Sequence, residues 1–158
     1  MSKRYEGSRL DCWGSPQYVF DYFDRAHHYE IDLAAAEHNT KCPAYFTAEQ
    51  DGLKQDIVGR RVWCNPPFGD IAPWVEMAAL EEAQVFSLLL PVRTGMAWFE
   101  RCLGARVDFL RGRLQFEPPP GYEGEVTSAP FDCMVVHFGW GVSPRIRQLD
   151  LRIHRRAA

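Results

Sequence analysis

The chain has 158 residues, of which 46% are hydrophobic and 25% charged, with a formal net charge of −3. That size and balance fit one globular domain with a proper core and exclude a second unit of comparable size, and no uncharged apolar stretch reaches the roughly 20 residues of a membrane span. The five cysteines (Cys12, Cys42, Cys64, Cys102, Cys133) are odd in number, widely spaced and without a CxxC pair, so neither a metal site nor a disulfide framework is expected.

In chain order, residues 1–6 lack the apolar run of a leader, which predicts a cytoplasmic protein. Ser15-Pro16 reads as a helix start, with Ser15 as cap and Pro16 at the first helical position. Tyr18, Val19, Tyr22, Phe23 and Ala26 follow at helical spacing, predicting a helix over 16–27 that ends at His27-His28, where positive charge is favoured. Residues 29–33 read as a short strand and 34–55 as a long irregular connection containing Asn39, Pro43 and Asp51-Gly52. An apolar run at 62–64 forms the next strand, and Asp70 is placed to cap a helix over 71–83. The run 84–90 is apolar almost throughout, as in a strand covered on both faces.

Thr94 then caps a helix over 95–103, and 107–110 and 114–116 form two arms of a hairpin about Arg111-Gly112-Arg113. A proline- and glycine-rich loop over 117–130 precedes a last strand at 133–138. This order predicts a three-layer, Rossmann-like α/β sheet with an antiparallel carboxyl-terminal part. Residues 1–143 make up the compact domain. Residues 144–158 are a basic tail, with Arg145, Arg147, Arg152, Arg155 and Arg156 against Asp150 alone, a composition suited to phosphate contact. Leu149, Leu151 and Ile153 alternate with polar residues in that tail, which is also the pattern of an edge strand.

The most informative stretch is Trp63-Cys64-Asn65-Pro66-Pro67-Phe68-Gly69. An exocyclic amine on a planar ring is a poor nucleophile, because its lone pair is delocalised, until acceptors draw its hydrogens out of plane. The side-chain oxygen of Asn65 and the main-chain oxygen of Pro66 supply two such acceptors, and consecutive prolines hold them rigid. Phe68 then stacks on the ring. Pro-Pro also ends ordinary strands, but Asn65 falls at the carboxyl end of a strand, where α/β sheets bind ligands.

On these residues the chain resembles the compact, Dam-like phage-encoded DNA N6-adenine methyltransferases. The likeness runs from about Trp13 to Phe138 through Trp13 with Ser15-Pro16, Asp32-Leu33-Ala34-Ala35, Asn39, Tyr45-Phe46-Thr47, Asp51-Gly52-Leu53, the Asn-Pro-Pro-Phe core, Trp74, Leu89-Leu90-Pro91 with Arg93, Trp98-Phe99, Gly112-Arg113-Leu114 and Ala129-Pro130-Phe131. The resemblance implies a methyltransferase-like sheet and S-adenosylmethionine as methyl donor. It implies donor contacts at Trp13, Ser15, Pro16, Asp32, Ala34, Asn39 and Asp51, with Asp32 facing the donor's ammonium, and catalysis at Asn65, Pro66, Pro67 and Phe68. The glycines of larger methyltransferases are absent from the loop Ala34-Ala35-Ala36, where small side chains still admit close approach.

The expected activity is methyl transfer to N6 of an adenine flipped out of double-stranded DNA. Arg93, Arg111, Arg113, Arg145 and Arg147 are the candidate DNA contacts, and the 117–128 loop is the candidate for target selection. The same four catalytic residues would also serve RNA adenine or a protein glutamine, and a non-catalytic nucleic-acid-binding relic of the fold is the rival of another class. Asp51-Gly52 equally suits a plain turn.

Overall fold

The computed structural model describes residues 12–155; residues 1–6 and Arg156 lie outside them. Among the described residues seven strands form one sheet, β1 (Ile31–Asp32), β2 (Ala44–Tyr45), β3 (Arg61–Cys64), β4 (Val85–Pro91), β5 (Arg106–Leu110), β6 (Cys133–Phe138) and β7 (Arg145–Leu149). Their spatial order is β2-β1-β3-β4-β6-β5-β7, with β6 antiparallel to both neighbours and every other pairing parallel. The carboxyl ends of β1, β3, β4 and β5 therefore share one edge of the sheet, and β6 begins at that edge.

Helices cover both faces. Helix α1 (Gln17–His27) lays Val19, Phe20 and Phe23 against Trp63, Val85, Leu89 and Val135. On the other face α2 (Ala72–Leu80) and α3 (Phe99–Cys102) bury Trp74, Val75, Ala78, Phe99 and Cys102 with Val62, Cys64, Phe86, Leu88 and Leu90. Strand alternation divides these two sets, and all seven residues of β4 are buried. The three-layer sheet is the one the element order predicts. A 3₁₀ turn (Gly52–Lys54) packs onto the end of β1 so closely that a Cβ at Gly52 would lie 2.1 Å from the carbonyl oxygen of Leu33. Only glycine fits there.

Local signals are corrected in several places. Pro16, not Ser15, precedes the first helical residue, and no side chain at that position caps α1. Asp70 and Thr94 cap nothing: α2 and α3 start from Ile71 and Trp98, both already helical. α2 stops at Leu80 because Glu81 is extended, and α3 is one turn rather than the expected span of 95–103. The connection over 34–55 contains β2 and the 3₁₀ turn. The expected hairpin does not form, since β5 pairs with β6 and β7 and residues 114–116 join no named strand. Leu114 is instead buried and accepts a hydrogen bond from Ala129 N–H at 2.7 Å.

Residues 145–149 of the basic segment are strand β7, paired in register with β5. The edge strand is real but lies earlier than the Leu149, Leu151 and Ile153 pattern put it, since Leu151 is buried just beyond it and Ile153 is exposed in a helical turn over Arg152–Arg155. Among the described residues no helix is long and apolar enough to cross a membrane.

Candidate active site

Three parallel strands deliver three side chains to the same sheet edge. Asp32 ends β1, Asn65 follows β3, and Arg93 follows β4 by two residues. Asp32 lies opposite Trp63, and the Leu33 N–H to Trp63 carbonyl bond of 2.9 Å extends that pairing one step further, so Asp32 and Asn65 occupy neighbouring strand ends.

Asn65 is half-buried. Its Nδ2 donates to the Trp13 carbonyl at 3.5 Å, which turns Oδ1 the other way. Among the described residues neither Oδ1 nor the Pro66 carbonyl accepts a hydrogen bond. Two acceptors thus stand ready in a short, proline-stiffened segment. Phe68 is held edge-on by Phe116 and Phe131, with ring centroids 5.9 and 5.7 Å away. Arg93 Nη1 donates to the Phe68 carbonyl at 2.7 Å, so this expected DNA contact also braces the Asn-Pro-Pro-Phe turn.

Asp32 is 3% exposed. Lys41 N–H donates to its Oδ2 at 2.9 Å, while Oδ1 is buried and without a partner. Burial pushes the carboxyl up to about 7, against the pull of the Lys41 N–H and of the nearby Ala34 N–H, which approaches it without full hydrogen-bond geometry. An orphaned carboxylate oxygen on the reactive edge is a ready acceptor for a cationic ligand group.

Most of the other expected donor contacts have structural partners of their own. Ser15 is buried and accepts Trp63 Nε1 at 3.3 Å. Trp13 meets Tyr122 of the 117–130 loop edge-on, 4.9 Å between ring centroids. Asn39 Oδ1 accepts Ala36 N–H at 2.7 Å and its Nδ2 donates to the Cys12 carbonyl at 3.3 Å, fixing the loop that carries Ala34. Asp51 has φ 55°, accepts Leu53 N–H and pairs with Lys54, so it caps the 3₁₀ turn.

The candidate DNA-contacting arginines divide. Arg111, Arg113 and Arg145 are exposed. Arg147 is bound through Nε to the buried Asp108, Arg152 to Asp150, and Arg155 to Gln115.

One cluster has no counterpart in the expectations from sequence. Tyr29 Oη donates to Ser87 Oγ at 2.6 Å, Ser87 lies 2.6 Å from His137 Nδ1, and His137 Nε2 lies 3.0 Å from Asp108 Oδ2. Burial lowers the His137 pKa and holds the adjacent His27 down at about 4, so His27 is neutral where a charged helix end was anticipated. Ser87, Asp108 and His137 are fully buried, which makes the chain a structural cross-tie on the α1 face. Single polar residues inside the apolar runs at 84–90 and 133–138 were its signal. Among the described residues no group of His, Cys, Asp and Glu could hold a metal ion. Cys42, Cys64, Cys102 and Cys133 are buried thiols whose pKa values burial raises, so they remain protonated.

Known proteins similar to this chain share one description. The model of the family DNA N-6-adenine-methyltransferase (Dam) matches residues 3–146. A DNA N-6-adenine-methyltransferase of Haemophilus phage HP1 (strain HP1c1) is 34% identical over 101 residues, 61% of this chain and 58% of that protein. Another of the same description, from Escherichia phage T1, is 31% identical over 106 residues, 61% of this chain and 44% of that protein. The chain thus matches about half the length of these relatives.

Proposed function

The chain belongs to the DNA N-6-adenine-methyltransferase (Dam) family, and on that premise we propose that it methylates N6 of adenine in double-stranded DNA with S-adenosylmethionine as donor, in the host cytoplasm if it is phage encoded. The observation that carries the reading is the pair of open acceptors, Asn65 Oδ1 and the Pro66 carbonyl, beside the Phe68 ring and on the same sheet edge as the orphaned Asp32 oxygen.

The residues present fit the donor. Its ammonium would satisfy Asp32 Oδ1, and the Trp13–Pro16 segment and the Ala34 loop flank the same strand ends. Bound there, S-adenosylmethionine would supply an electrophilic methyl group. Asn65 and Pro66 each accept one hydrogen of the adenine amine, which localises the nitrogen lone pair and stabilises the positive charge that develops on transfer. Phe68 stacks on the base, which must leave the duplex to reach this edge. No strong general base is required, because the methylated cationic nitrogen is acidic. Arg111, Arg113 and Arg145 contact phosphates, and the 117–128 loop faces the target sequence.

The test is incubation of purified protein with labelled donor and unmethylated duplex, with the modified nucleoside identified by mass spectrometry and with RNA and protein extract as competitors. N6-methyladenine in the duplex is the expected product. Label recovered in RNA or protein alone, or donor that does not bind, would overturn the reading.

A further inference from the structure

Glu117, at the root of the 117–130 loop, ties together three segments around Asp32. Its backbone bridges Gly14 both ways, Gly14 N–H to Glu117 O at 2.8 Å and Glu117 N–H to Gly14 O at 3.0 Å. Its Oε1 accepts the Gln17 N–H at 3.0 Å, so it serves the amino end of α1 in place of the missing local cap. Its Oε2 pairs with Lys41 Nζ at 2.7 Å.

Lys41 is where this bears on chemistry. Its side chain is only 6% exposed, and besides Glu117 its ammonium is bonded to Gln17 Oε1 at 2.9 Å. A buried ammonium needs a counter-charge, so loss of Glu117 forces Lys41 to move. The backbone N–H of the same residue holds Asp32 Oδ2 at 2.9 Å. Movement at one end of Lys41 reaches Asp32 at the other.

We propose that Glu117 is a positioning residue for the methyl donor: acting through Lys41, it sets the Asp32 carboxylate and links the loop that faces DNA to the donor site. This rests on the reading that Asp32 holds the donor's ammonium. Glutamine at 117 has one acceptor oxygen for two donors and no charge, so it keeps part of the tie. Alanine keeps none.

The experiment is calorimetric titration of S-adenosylmethionine into the wild type, Glu117→Gln and Glu117→Ala, with melting temperatures and donor KM and kcat for each. The alanine variant should bind donor about tenfold more weakly, the low end of what losing a group that orients a binding side chain costs. The glutamine variant should fall between, and kcat at saturating donor should hold. A purely structural strut would lower the melting temperature and leave donor Kd and KM alone, and that result overturns the proposal. If alanine does not fold, unchanged donor affinity in the glutamine variant overturns it equally. A wild type that binds no donor refutes the reading of Asp32 itself, whereas tight and equal binding by all three proteins refutes the role of Glu117 alone.

Discussion

Asp108 on β5 and Arg147 on β7 lie opposite one another in the parallel register, and the Nε–H of Arg147 is bonded to a carboxylate that has no solvent exposure. Burial by itself would raise the Asp108 pKa; the bonds from His137 and Arg147 outweigh it and hold the group at about 2. The edge strand is thereby fastened to the sheet by charge as well as by its backbone ladder.

Arg147→Gln should lower stability by about 1–3 kcal/mol, less than for a sole partner because Arg106 and His137 still face Asp108. The Asp108 value lies below the usual 3.8, so its contribution is complete above about pH 4 and disappears as pH falls through about 2. Acid unfolding followed by circular dichroism should show a smaller loss over that window in the variant. Identical acid profiles would remove Asp108 from the account.

Truncation after Ser143 deletes the whole of β7 and should lower the melting temperature. An unaltered melting temperature would mean that β7 adds no stability.

Asn65→Ala should reduce turnover on the order of 10²-fold or more while leaving donor binding nearly intact, since it removes one of two preorganised acceptors. Asn65→Asp should retain substantial activity, because a carboxylate oxygen can stand in the same place. Single-turnover kinetics at saturating donor is the measurement, and wild-type turnover in the alanine variant would refute the assignment.

Asp32 makes donor binding depend on pH. Because its carboxyl is raised to about 7, binding the ammonium below that pH first requires loss of a proton, so affinity should rise with pH through about 7 until the donor's own α-amino group deprotonates at roughly 7.7–8.0. The dependence should vanish in Asp32→Asn, with weaker binding throughout. For the donor-free fold the sign is opposite. The folded state holds this proton more tightly than the unfolded chain, whose carboxyl titrates near 3.8, so the contribution to stability declines as pH rises from about 4 to about 7. Calorimetry and thermal melts across the same buffers separate the two effects.

Reversing charge at Arg111, Arg113 and Arg145 together should weaken binding to every duplex by a similar factor. The salt dependence should flatten by a slope of roughly 0.9 for each phosphate that is no longer neutralised. Weakening confined to one target sequence would instead make these residues readers of bases.

Legibility followed the range of each interaction. The strand at 85–91 was plain within one residue as 84–90, because a near-continuous apolar run fits burial on both faces, and Asn65 was placed by the strand before it. Caps were the weak point. Ser15, Asp70 and Thr94 carry the chemistry of a helix start, yet α1 takes its acceptor from Glu117, which is 100 residues away and leaves no local mark. The Ser87, His137 and Asp108 chain was hidden for a related reason: alternation puts each residue on the α1 face, but only the order β4-β6-β5 brings them together. Arg147 read as tail charge because nothing nearby in sequence announced a buried Asp108 opposite it.

The reversed direction of β6 has an evolutionary corollary. Because β5 finishes and β6 begins at the same rim, the exposed loop over 118–128 between them can be lengthened or exchanged without re-threading the sheet. A parallel strand in that place would have drawn the chain to the far side and back. This fold therefore offers natural variation, or a protein engineer, one interchangeable insert with which to test the proposed role in target selection, provided that Glu117 at its root is left in place.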